Sequence, residues 1–146
     1  MTPAGQLSAF IAKFSPANQR LIRGARACLR RWLPGANQLI YDNYNFLVIA
    51  YCPTERVSDS YFSLGTDKHG PNLFFGYNGT RIDDPKGLLR GTGASNRYLR
   101  LPSTDALADP DVRALIDAAI AVSKPAVNRR GKLIVRSVSP NQRPRR

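Results

Sequence analysis

The stretch Gln38–Tyr51, QLIYDNYNFLVIAY, decides the fold class. Two runs of strand-forming residues, Gln38 to Tyr41 and Asn45 to Tyr51, are separated only by Asp42-Asn43-Tyr44. That spacing fits a tight hairpin, and Phe46 to Cys52 is apolar throughout, as the middle strand of a sheet would be. Downstream, Ser60 to Leu64 alternates, with Phe62 and Leu64 on one face and Tyr61 and Ser63 on the other. Asn72 to Tyr77 reads as a further strand, bounded by Gly70-Pro71 and Asn78-Gly79. The connections are too short for parallel crossovers, so an antiparallel sheet is expected.

Helices flank these strands. Gln6 to Phe14 is a short apolar segment of one or two turns. Ser15-Pro16 then supplies an N-cap followed by proline at the first helical position, where its missing donor does no harm. Leu21, Ile22, Ala25, Cys28, Leu29 and Trp32 recur at helical spacing, while Arg20, Arg23, Arg26, Arg30 and Arg31 occupy much of the remaining circumference. Pro34-Gly35 ends the helix. The clearest helix follows Asp109-Pro110, with Val112, Leu115, Ile116, Ala119 and Ile120 on one stripe. Lys132 to Val138 (KLIVRSV) reads as one more strand at a sheet edge, and Pro140 to Arg146 (PNQRPRR) as a mobile end. The expected architecture is a two-layer α+β domain over residues 1–138, an antiparallel sheet of about five strands with helices on one face, followed by a flexible basic tail at 139–146.

A chain of 146 residues with 42% hydrophobic residues has enough apolar surface for one core. Cys28 and Cys52 lie in different elements and form no CxxC, which points to free, reduced thiols in a cytoplasmic protein. Met1 to Phe10 has no basic start, so no secretory leader is read, and no apolar run reaches spanning length, so no membrane partner is expected. The formal charge of +12 is uneven: residues 1–41 carry +6, residues 42–123 carry −2 and residues 124–146 carry +8. Both ends of the chain should attract polyanions.

One loop stands out chemically. Ile82–Leu101, IDDPKGLLRGTGASNRYLRL, crowds Lys86, Arg90, Arg97 and Arg100 around the turn Gly91-Thr92-Gly93, and then alternates as a strand from Arg97 to Leu101. Backbone N–H groups freed by such a turn can point at an anion, with guanidiniums completing the cradle. Alternatively, the two glycines only supply the backbone freedom of a turn. The candidate ligand residues are Arg97, Gly91, Thr92, Gly93, Arg90, Lys86 and Tyr98, with Arg97 at the mouth of the buried side. The turn lacks the GK[ST] ending of a phosphate-binding loop and the third glycine of a dinucleotide fingerprint.

Other chemistry is thinly supplied. His69 is the only histidine and falls in a turn, Glu55 is the only glutamate, and two Cys with one His at these separations fit no common zinc pattern. Asp83-Asp84 before Pro85 reads as a turn-forming element. No catalytic residue, cofactor or metal site is read from the sequence.

The runs LIYDNYNFLVIAYCPTERVSDSYFSL, GLLRGTGASNRYLRL, ADPDVRALIDAAI and KLIVRSVSPNQRPRR together resemble the YdhG-like family of bacterial domains of unknown function. The resemblance covers the chain from about Leu39 onward. It implies a compact α+β domain broadly like frataxin, and an intracellular iron-chaperone role described for one member. Family members commonly carry a basic residue after the second glycine of the turn, where this chain has Ala94, while Arg97 matches the recurring arginine. Iron delivery in frataxin-like proteins relies on an acidic ridge, and here the first long helix has no acid.

Two functions are therefore expected. One is a non-enzymatic binding module for a small anion or metabolite at the Arg97 loop. The other is sequence-tolerant nucleic-acid binding through Arg129, Arg130, Lys132, Arg143, Arg145 and Arg146, helped by Arg23, Arg30 and Arg31.

Overall fold

The computed structural model describes all residues, 1–146. Three helices, α1 (Pro3–Ile11), α2 (Pro16–Trp32) and α3 (Pro110–Ala121), accompany six strands. The strands are β1 (Asn37–Asp42), β2 (Leu47–Cys52), β3 (Phe62–Asp67), β4 (Gly70–Phe75), β5 (Arg97–Arg100) and β6 (Leu133–Val138). They form one sheet in the order β5-β4-β3-β2-β1-β6. The fold is α+β.

Helices α2 and α3 start at the expected caps, Ser15 and Asp109, whereas α1 runs from Pro3 to Ile11 rather than from Gln6 to Phe14, because Thr2 caps it earlier. Thr2, Ser15 and Asp109 accept backbone N–H bonds from Gly5, Asn18 and Asp111, and a proline follows each cap. The apolar stripes of all three helices bury against one face of the sheet. Ile22 and Leu29 of α2 and Ile116 of α3 meet Ile40, Ile49, Phe62, Leu64, Leu73 and Phe75 in a single core. Alternation sends the next residues to the opposite face, where Leu39, Ala50 and Cys52 form a small second cluster under Val57 and Ile134.

From β1 to β5 the sheet is an antiparallel meander. The sixth strand corrects the all-antiparallel expectation, because β6 pairs parallel to β1, with an irregularity after Ile40. Short connections forbid parallel pairing only among β1 to β4; the β4–β5 link, residues 76–96, is long, and β5 is antiparallel all the same. The segment from β5 to β6 contains α3 and is long enough to carry the chain from one sheet edge to the other. Gly131 admits β6 to that edge, since a Cβ there would overlap the Ala36 carbonyl.

The β1–β2 register holds a second surprise. Gln38 pairs with Tyr51, Ile40 with Ile49 and Asp42 with Leu47, so Asp42 is the last residue of a strand and points into the helix-covered face. The turn itself is Asn43–Phe46, closed by Asn43 N–H donating to the Phe46 carbonyl at 2.8 Å. A carboxylate that reads as turn chemistry is fully buried.

That carboxylate corrects the picture of a mobile tail. Arg145 is 2% exposed; its Nη1 donates to Asp42 Oδ1 and its Nη2 to the Asn43 carbonyl at 2.6 Å. The guanidinium also lies 5.3 Å from the Phe14 ring centroid. Lys13 Nζ reaches Asp42 Oδ2 at 2.6 Å, and Gln142 Nε2 donates to the same oxygen at 2.9 Å. Burial by itself would raise the Asp42 carboxyl, but the hydrogen bonds from Lys13, Gln142 and Arg145 outweigh it and hold the group below the usual carboxylate range. The last residues are strapped across the sheet end because a buried carboxylate needs counter-charge.

Candidate anion-binding site

The Gly-Thr-Gly loop is a hairpin tip. Arg90 and Tyr98 exchange backbone hydrogen bonds at 2.8 and 3.0 Å, enclosing residues 91–97, and Gly91 takes φ +110°, which favours glycine. Arg97 does lie on the face of β5 that carries Leu99. Its Nη1, however, donates to the carbonyls of Gly93 and Asn96 at 2.6 and 2.8 Å, so the guanidinium closes its own loop. Thr92 and Gly93 are exposed, and Tyr98 packs on Phe74 with ring centroids 5.5 Å apart. Arg100 donates to the His69 carbonyl at 2.6 Å.

Lys86 is elsewhere, lining a crevice of about 210 Å³ between the 83–88 turn and α3. Asp84 makes that turn by accepting the N–H groups of Leu88 and Leu89, both at 2.9 Å. None of the three principal concavities is lined by Arg90, Gly91, Thr92, Gly93, Arg97 or Tyr98. The fold therefore does not gather these candidates into one cradle.

It gathers a different set. A groove of about 730 Å³ opens between α2, the N-terminal turn of α1 and the β1–β6 edge. Arg26, Arg30 and Arg31 of α2 line it from one side and Arg130 from the other, over small apolar walls that include Ala27 and Leu133. At about 100° per residue, the five arginines of α2 share an arc of about 140°, opposite Ile22, Ala25 and Leu29. The sequence places the arginines on one helix; only the parallel docking of β6 brings Arg130 to them.

This charge has no internal partner. Carboxylates pair with Lys13, Arg113, Lys124, Lys132 and Arg145, and with no arginine of α2. Arg26, half-buried, donates through Nε to Gln38 Oε1 at 2.9 Å. Burial lowers the pKa of this guanidinium, the nearby Tyr51 opposes that, and the charges of Arg30 and Arg23 lower it further. The arginine nevertheless remains protonated in any ordinary buffer. Tyr51 is 1% exposed and its hydroxyl has no hydrogen-bond partner; burial pushes the phenol up, opposed by Arg26 and Arg30.

The residues expected to bind nucleic acid divide three ways. Arg130 belongs to the groove, while Arg129 is exposed beside it in sequence. Lys132 pairs with Glu55 at 3.2 Å. Arg143 and Arg146 line a separate hollow with Lys68 and His69, and Arg145 is sealed in the core against Asp42. No three His, Cys, Asp or Glu side chains converge. Both cysteines are free; burial pushes the Cys52 thiol up to about 12. No helix is long and apolar enough to cross a membrane.

Fold and groove together define an α+β domain with a basic concavity at one sheet edge. The chain matches no family model, and no curated protein or solved structure is significantly similar to it.

Proposed function

We propose that this chain is a non-enzymatic binding module for a ligand carrying more than one phosphate, held in the groove by Arg30, Arg31 and Arg130 with Arg26 at its base. The observation that carries this reading is four guanidiniums around one concavity with no carboxylate in reach. Like charges crowded over apolar walls repel one another, and a bound polyvalent anion relieves that repulsion through bidentate hydrogen bonds. The volume lies within the range of metabolite pockets.

Inorganic triphosphate is the probe. It is expected to raise the melting temperature of the wild type at low salt, and to leave Arg30→Glu/Arg31→Glu unshifted. A wild type that gains no stability from triphosphate, pyrophosphate or a nucleoside triphosphate would refute the reading.

A further inference from the structure

A second basic hollow, of about 390 Å³, lies at the other end of α2. Its cations, Lys68, Arg143 and Arg146, come from two separately braced segments. Lys68 and His69 sit in the β3–β4 turn, fixed by Asn18 Nδ2 donating to the Lys68 carbonyl at 3.2 Å and Arg100 to that of His69 at 2.6 Å. Arg143 and Arg146 flank the buried anchor Arg145; the Arg143 N–H donates to the Tyr44 carbonyl at 2.8 Å. The hollow's one carboxylate, Asp67, accepts the His69 backbone N–H at 2.8 Å and pairs with none of these cations.

The hollow is continuous with α2. Arg146 Nη2 and Gln19 Nε2 both donate to the Ala12 carbonyl, at 3.2 and 3.4 Å. From there Arg20 and Arg23, exposed and unpaired, lead toward Arg30, Arg31 and Arg130 in the groove. The 17 residues of α2 span about 25 Å at about 1.5 Å each. An aromatic ring completes the hollow's end of this row: Tyr44 is 50% exposed on the turn that supplies Asn45 to the hollow, with Arg143 5.6 Å from its centroid.

We infer that one single-stranded nucleic acid lies along α2, its backbone running from the tail hollow to the groove and one base stacked on Tyr44. The inference rests on the groove's being an anion site and extends it, because a compact metabolite fills one concavity while a chain of phosphates uses both. Single strands are bound by such combinations of a cationic track and an exposed aromatic, with sites of about four nucleotides or more. A duplex keeps its bases stacked away from Tyr44, and inorganic polyphosphate has no base to offer.

Fluorescence anisotropy with a labelled oligothymidylate of about 15 nucleotides, titrated across salt concentrations, tests this. Arg143→Ala/Arg146→Ala, which keeps the Arg145 anchor, and Arg30→Ala/Arg31→Ala are each expected to weaken binding at least about tenfold. Each pair should also flatten the slope of log affinity against log salt by about 1.4, roughly 0.7 per cation removed. Tyr44→Ala should cost about tenfold and leave the slope unchanged. If the groove pair weakens binding and the tail pair does not, the continuous track is refuted while the groove stands as an anion site. Equal affinity for a duplex or for polyphosphate, with Tyr44→Ala silent, overturns the single-strand assignment. If no oligonucleotide binds yet triphosphate still stabilises the protein, this inference fails and the groove reading survives.

Discussion

Arg145 and Arg30 are the same side chain in opposite circumstances. Arg145 is buried against Asp42, a carbonyl and an aromatic face, so its charge is used up inside the fold. Arg30 stands on the exposed side of α2 among other arginines, with no acid near it. A basic sequence therefore conveys little until each charge is matched with its partner. Paired charge fixes the chain's end, and unpaired charge is left for something outside the molecule.

The largest effect expected from breaking this contrast is at the buried end. Asp42→Ala leaves Lys13 and Arg145 without their shared carboxylate and should cost about 3–5 kcal/mol in equilibrium denaturation, with earlier proteolysis of residues 139–146. Arg145→Ala should cost a similar amount, since it strands Asp42 instead. A loss below about 1 kcal/mol in both would mean that the strap is not held by charge.

Acid titration sharpens the same point. The folded state lowers the Asp42 pKa, so its stabilisation is complete above the unfolded carboxyl's value of about 3.9 and is lost as the pH falls through that value and then the folded one. Wild type and Asp42→Asn should differ most near neutrality and converge in acid. A gap that widens below pH ~4 contradicts this.

At the unpaired end the balance reverses. Arg30→Glu/Arg31→Glu should change stability by no more than about 0.5 kcal/mol per site while abolishing the triphosphate-induced melting shift. The smallest effect belongs to Arg97→Ala, which removes two bonds within its own exposed loop. Stability within about 0.5 kcal/mol of wild type and an intact triphosphate shift are expected. A lost shift would return the candidate site to the Gly-Thr-Gly turn.

Local signals carried much of the architecture. Caps with prolines set the starts of α2 and α3, helical stripes picked out their buried faces, and alternation put Phe62 and Leu64 on one face, which lies in the core; the Thr2-Pro3 start of α1 lies ahead of the expected Gln6 to Phe14 segment. The arginine face of α2 was equally legible. Asp42 was readable in principle, because period-two alternation places it with Gln38 and Ile40, but its position before Asn43 favours a turn. The Arg97 loop misled for a related reason: glycines and cations adjacent in sequence describe a loop's composition, and the guanidinium's nearest acceptors were the loop's own carbonyls.

By itself, then, the sequence determined α2 and α3, the antiparallel run from β1 to β4 and the uneven distribution of charge, since each depends on residues close together in the chain. Tertiary structure alone decided that β6 runs parallel beside β1, that Arg130 faces α2, and that Arg145 reaches Asp42 across 103 positions. Those are encounters between distant segments, fixed by edge pairing and by the cost of burying a lone charge, and no local pattern encodes them.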